Sequence, residues 1–364
     1  MGKTLRTYLL NQFLRLVIIS TLSLAMLFLV FDLLANSDDV LAGGMPAWQA
    51  VSLYAFLRAP QIISFVLPIA GMLAIMAVYG KLHGHLEVTA MRSAGLRLAR
   101  VVLVFLFGAF IVAAIHFIFL NSIVLETSEK LRQWQVNDFR PATEREPVTR
   151  YPAWFQVEDK LLYVEEANPD NTTLKDLKVI ERGDGGVMQR YLLAGNATHL
   201  AGTRWQLTDV QIRKLDTGET EKTADTVVDL NSNPEDLVIF NKSIEEMRLE
   251  EMLALMEASH LTNNKGYYYE TWFFRRFSQP LSTVVMMLIA TPLLFMRPRQ
   301  GNKTGLIFTV ILLGFGFFIG ERILLAMGES GELHSHLAIW GPPGLTMGAL
   351  FMYVLWKESG LARH

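Results

Sequence analysis

His83, His85 and Glu87 stand two residues apart within GKLHGHLEVTAMRSAGL, residues 80–96. Three such side chains could hold a divalent metal if they converged, which this spacing allows only on a strand. On a helix, residues two apart point to different faces. The stretch has no proline and mixes Leu, Val, Ala and Met with charges, so it reads as helix and no metal site is assigned. His334 and His336 are treated in the same way. GNKTG at 301–305 lacks the spacing of a phosphate-binding loop and any preceding strand. No nucleophile elbow or zinc-protease motif occurs. No catalytic residue and no cofactor is therefore expected in this chain, and any ATP and Mg chemistry would belong to a partner.

Other charges sit within or beside apolar runs, where burial in lipid is costly. They are Asp32, Arg58, Lys130, Arg132, Arg275, Arg276, Glu321 and Arg322. Two readings stand. In one, the arginines snorkel to the interface and Asp32–Arg58 or Glu321–Arg322 form structural pairs. In the other, Arg58, Lys130, Arg132, Arg275, Arg276 and Arg322 form a basic collar for an anionic amphiphile, with guanidinium forks on phosphates. Pro60 and Pro68 would loosen their helix, as a moving or gap-lining element requires. His116 is the one ionisable group near mid-depth, which ranks an intramembrane enzyme last.

The elements that must position these groups are membrane spans. The chain has 364 residues, 51% hydrophobic, with mean hydropathy +0.28 and net charge −2, which argues against nucleic acid as a partner. Apolar runs near twenty residues match a ~30 Å hydrocarbon core. Six are expected, at about 13–35, 55–79, 101–121, 277–296, 305–326 and 337–356. The first is too long for a cleavable signal and has no cleavage site after it. There is no cysteine, so the chain has neither disulfide nor thiolate site. Lys3, Arg6, Lys81, Arg92, Arg97, Arg100, Arg297, Arg299, Lys303, Lys357 and Arg363 fall in segments that six spans put on one face. The loops at 36–52 and 327–336 have no Lys or Arg. Both termini and the 80–96 stretch are thus expected inside, and the block at 122–271 outside.

Residues about 140–245 read as β, with period-two stretches and breaks at Glu158-Asp159-Lys160, Gly195-Asn196 and Ala201-Gly202. Turn spacing of eight to twelve residues suits a sandwich or roll. A helix over about 243–259 follows, with a capping box from Ser243 to Glu246.

As one helix, 80–96 would place Leu82, Leu86, Ala90 and Ala94 on one face. That face fits either a helix lying on the inner leaflet or a plug docked into a soluble partner. The alanines favour close approach to protein.

At these residues the sequence resembles the LptF/LptG permease family of the lipopolysaccharide exporter. Pro60 and Pro68 stand eight positions apart in the sequence, and Glu87, Met91, Ala94 and Gly95 match the family's Glu-x3-Met-x2-Ala/Cys-Gly pattern. FSQPLSTVVMMLIATPLLF (277–295) resembles the fourth span, and GPP (341–343) the opening of the sixth. These segments look closer to LptG than to LptF. The resemblance implies an α-helical membrane protein with six transmembrane helices and an inserted all-β, jellyroll-like periplasmic domain. The expected divisions are 1–122, 123–271 and 272–364. It further implies a bacterial inner-membrane location, an LptF-like second permease, two LptB-like ATPase subunits, an LptC-like bitopic protein and an LptA-like periplasmic bridge. Lipopolysaccharide would enter sideways between two permeases from the surrounding membrane lipid. The stretch 80–96 would be the coupling helix, with Glu87 as its acidic contact and His83, Met91, Arg92, Ala94 and Gly95 beside it. One departure is FDLLANSDD at the outer end of span one, acidic where family members can carry lysine. A membrane sensor reading a ligand with its β domain is the rival reading; the short inner segments leave it little room for a signalling module.

Overall fold

The computed structural model describes residues 2–141, 153–157, 160–168, 170–182, 188–214, 219–234, 237, 244, 247–259, 266–295 and 303–361. The expected capping box at Ser243 and Glu246, the turn residues Glu158 and Asp159, and Arg297 and Arg299 lie outside them. The chain forms two compact units, Met1–Arg132 with Glu270–His364, and Gln133–Tyr269.

The first unit is helical. It holds α1 (Lys3–Ala35), α2 (Ser37–Ala42), α3 (Ala47–Gly84), α4 (Glu87–Ser93) and α5 (Leu98–Phe119). A single π-turn at Leu120–Val124 carries α5 into α6 (Leu125–Val136). After the inserted unit, which includes α7 (Leu249–Ser259), come α8 (Gly266–Ile289), α9 (Lys303–Glu329) and α10 (Ser335–Leu361). Six helices are long and apolar enough to cross a membrane, as expected. They overrun the apolar runs. The 38 residues of α3 extend about 57 Å, well beyond the hydrocarbon. Pro46 caps its start, and Pro60 and Pro68 lie within it. Pro342 and Pro343 also lie inside α10 rather than opening it, because the helix begins at Ser335.

Lipid tails are as apolar as leucine, so spans associate through close packing rather than through expulsion of water. The core is accordingly built on interlocked rings and small residues. Phe105 packs edge-on against Phe13 and Tyr79, with ring centroids at 5.8 and 5.4 Å. The run Val284–Ile289 of α8 is buried throughout, making α8 the central helix, whereas much of α1 and α9 is exposed. Gly108 lets α5 meet α1: a Cβ there would stand 2.7 Å from the Phe13 ring and 2.9 Å from Leu10. Gly108→Val is expected to lower stability by about 1–3 kcal/mol through overpacking, read as a lower melting midpoint in detergent. Gly316→Ala, where a Cβ meets nothing within 4 Å, should be close to neutral.

The second unit carries one antiparallel sheet of β1 (Ala153–Val157), β2 (Lys160–Val164), β3 (Glu166–Ala167), β4 (Thr173–Arg182), β5 (Met188–Ala201), β6 (Arg204–Lys214) and β7 (Thr220–Asp229). The order is β1-β2-β4-β5-β6-β7, with β3 beside β4. One face is apolar, from Leu162, Leu174, Leu177, Val179, Leu192, Trp205 and Leu207. Trp205 is fully buried and donates its indole N–H to Ser232 O at 2.9 Å. Gly195-Asn196 is not a turn but the middle of β5; only Gly202, at φ +56°, serves the β5–β6 hairpin. The misread signal has a cause. At one level across β4, β5 and β6 the inward phase slips by a residue, from Leu174 to Leu177, Ala194 to Ala197 and Leu207 to Val210. Asp176 and Asp209 absorb the slip at φ +48° and +54°, a conformation short polar side chains tolerate.

Candidate functional site

The 80–96 stretch is not one helix. α3 stops at Gly84 and Leu86 takes φ +57°, so α4 leaves in a new direction. This corrects the expected stripe: Leu82 is buried, but Leu86 is 61% exposed and Ala90 and Ala94 lie outward with it. The buried face of α4 consists of Val88 and Met91, both in the main core of the bundle. Met91 therefore holds α4 to its own unit rather than facing outward. Gly95, at φ +73°, ends α4. Leu96 N–H donates to Met91 O at 3.0 Å and Gly95 N–H to Arg92 O at 2.9 Å, the paired bonds of a glycine-terminated helix.

His83 also points inward to its own unit. Its Nε2 lies 3.0 Å from Leu293 O, in the 3₁₀ turn Thr291–Phe295 that ends α8. A carbonyl only accepts, so Nε2 carries the proton. His85 is exposed, and among the described residues no three metal-ligating side chains gather. Arg92 is half-buried on α4. Glu87, half-buried, accepts a hydrogen bond from Tyr8 Oη at 3.1 Å. Tyr8 had no sequence signal, because it lies 79 residues away on the polar end of α1. The outward surface of the tip is thus Leu86, Thr89, Ala90, Ser93, Ala94 and Gly95.

At the far end of α3 the expected cations have separate partners. Arg58 forks onto Asp32, with Nε–Oδ2 at 3.0 Å and NH2–Oδ1 at 2.8 Å, and Tyr54 Oη donates to the same carboxylate at 2.6 Å. Arg58 also donates to Gln61, which donates to Ser128 Oγ. This network joins α1, α3 and α6 and borders a cavity of about 360 Å³ with Phe28, Ile62 and Phe65. Lys130 is exposed and paired with Glu126 at 2.5 Å, and Arg132 is half-buried. Glu321 pairs not with Arg322 but with Arg275, at 3.3 Å, and accepts from Ser282 Oγ at 2.6 Å. Adjacent helical residues diverge, so Arg322 lies exposed with its guanidinium 5.5 Å over the Phe318 ring. Arg276 is buried. The Asp32–Arg58 pairing of the structural reading is present; Arg58, Lys130 and Arg275 each spend charge on a carboxylate.

Because the Asp32–Arg58 pair is only half-buried, Asp32→Ala should cost about 1–2 kcal/mol, between exposed and buried pairs. Arg58→Ala should cost a similar amount. The double variant should cost little more than either, a coupling that detergent melts of all three would read.

Six spans in two sets of three, an inserted antiparallel sheet and a short polar helix between the second and third spans define a multi-pass membrane protein with an extramembrane β domain. No curated protein matches the chain. Residues 7–357 match the model of the Lipopolysaccharide export system permease LptF/LptG family, and the chain belongs to that family. It is the membrane component of a transporter and not itself catalytic.

Proposed function

We propose that this chain is the LptG-type half of an ATP-driven exporter that lifts lipopolysaccharide from the outer leaflet of a bacterial inner membrane to a periplasmic bridge. An LptF-like permease pairs with it, two LptB-like ATPase subunits bind ATP and Mg, and LptC- and LptA-like proteins receive the lipid from the β domain. The termini and α4 are cytoplasmic, in keeping with the basic residues that flank them. The observation that carries the reading is α4 itself. It is fastened to the bundle by Val88 and Met91 and turns small residues, Ala90, Ser93 and Ala94, outward. Such a surface admits the close approach of a rigid partner and transmits its motion directly into the core that Met91 joins. Arg322, exposed over Phe318, is the cation best placed to meet a lipid phosphate. The test is co-expression with the second permease and the ATPase, purification through this chain, and reconstitution in lipopolysaccharide-loaded vesicles. Recovery of the ATPase and ATP-dependent transfer of lipopolysaccharide to soluble bridge protein are expected. An intact chain that recovers no ATPase overturns the reading.

A further inference from the structure

His116, the ionisable group at mid-depth, is 1% exposed and joins three helices. Ser64 of α3 places its Oγ 2.9 Å from His116 Nε2, and Thr283 of α8 places its Oγ1 3.1 Å from Nδ1. Thr283 Oγ1 donates to Gln279 O at 3.3 Å, and Gln279 Nε2 donates to Ser64 Oγ at 3.4 Å. The Thr283 bond fixes the direction of the others, because a hydroxyl has one hydrogen. Thr283 gives its own to Gln279 O, so its oxygen accepts from Nδ1–H. Nε2 then carries no proton and accepts from Ser64, whose oxygen receives the Gln279 amide. The result is a closed ring of bonds in which each hydroxyl donates once and accepts once, and both imidazole nitrogens are used.

The ring sits where α3 is weakest. Pro68 has no N–H, so the carbonyl of Ser64, four residues earlier, loses its helical donor. Pro280 interrupts the ladder of α8 beside Gln279, and α5 enters its π-turn at Leu120, four residues after His116. The two halves of α3 are then held differently. On the side away from α4, Arg58 and Gln61 tie it to α1 and α6 by further hydrogen bonds. On the side leading to α4 it lies on flexible methionines: a Cβ at Gly71 would strike Met287, and Met72 fills the space over Gly314 of α9. Thioether contacts have little directionality, whereas the bonded ring tolerates little sliding. His83 grips the 3₁₀ turn that ends α8 rather than the body of that helix.

We propose that Ser64, His116, Thr283 and Gln279 form the pivot of α3, a fixed point about which the half leading to α4 tilts while the half bearing Arg58 stays in place. His116 is thus a positioning residue: it acts through the helix that carries the tip. The pivot rests on the reading of α4 as the joint to the ATPase only for what drives the tilt.

The chain has no cysteine, so introduced cysteines can carry spin labels without background. Labels at Ala90 and Leu312 report the tip, and labels at Trp48 and Ile323 the opposite end; all four side chains are exposed. Distances are read by double electron–electron resonance on the full chain in phospholipid nanodiscs. His116→Leu keeps apolar bulk and removes both ring bonds. It is expected to add a displaced component of at least about a tenth to the Ala90–Leu312 distribution and to leave Trp48–Ile323 unchanged. Thr283→Val should do the same, and His116→Gln, able to donate and accept, should restore a single tip distance. In complex with the second permease and the ATPase, His116→Leu should hydrolyse ATP normally but move about five-fold less lipopolysaccharide per ATP. A tip distance unchanged in the folded variants, or both pairs loosened alike, overturns the pivot. So does unchanged transfer per ATP in the His116→Leu complex. Failure of the unaltered chain to bind the ATPase would defeat the reading of α4 instead, and the label distances would still decide the pivot.

Discussion

Glu321→Ala is expected to lower the stability of the full chain by about 3–5 kcal/mol, the cost of stranding a buried charge. Arg275 and Glu321 have side chains only 5 and 7% exposed, and neither reaches bulk water. Removing the carboxylate leaves the guanidinium in a core that can solvate it neither with water nor with lipid. Ser282 is less affected, because its single hydroxyl hydrogen can turn from Glu321 to Ser278 O, 3.0 Å away. Replacing both partners, Arg275→Met with Glu321→Leu, removes the desolvation and the attraction together. That double variant should regain most of the loss. Melting in detergent, followed by circular dichroism, checks both, and a double variant as unstable as Glu321→Ala would show that the pair does more than neutralise itself.

If α4 docks an ATPase subunit as proposed, Glu87→Lys is expected to leave the chain folded but to weaken that binding at least about tenfold, since reversing an interface charge costs several kcal/mol. Glu87 accepts the hydrogen bond of Tyr8, and losing it should cost about 1 kcal/mol. Tyr8→Phe is the control: it removes the same bond, keeps the carboxylate, and should co-purify the ATPase normally. Loss of the ATPase in Tyr8→Phe instead would mean that the α1–α4 contact, rather than the charge, matters. Melting of each variant separates a local effect from a folding defect.

The spans were legible because apolar length is a strong and local signal; even the polar break at 80–96 was plain. What lay beyond that signal was backbone direction. In a single helix over 80–96 Leu86 belongs to the apolar stripe and Gly95 is one more helical residue, yet the first is a left-handed turn and the second a helix terminator. Once Leu86 turns, Met91 faces the core and the outward surface is a different set of residues. In the sheet, Asp176 and Asp209 shift the inward phase, so a period-two reading placed a break at Gly195 where the strand continues. The charged groups were found, but their partners were not. Asp32–Arg58 could be paired from their matching depth in adjacent spans. Arg275–Glu321 spans 46 residues between two helices, and neighbouring Arg322 offered a nearer, false choice. Tyr8 was silent because nothing in an amphipathic helix start marks one residue as reaching α4.

The most direct measurement places a photo-crosslinking amino acid at Ala90, at Ser93 and, at the other end of α3, at Trp48, in the full chain expressed with its ATPase. Ala90 and Ser93 are exposed on α4, and Trp48 is 72% exposed in the first turn of α3. Adducts with the ATPase from positions 90 and 93, and none from 48, are expected if α4 is the joint between motor and permease. A folded, membrane-inserted chain that gives no ATPase adduct at 90 or 93, or gives one at 48, would contradict it.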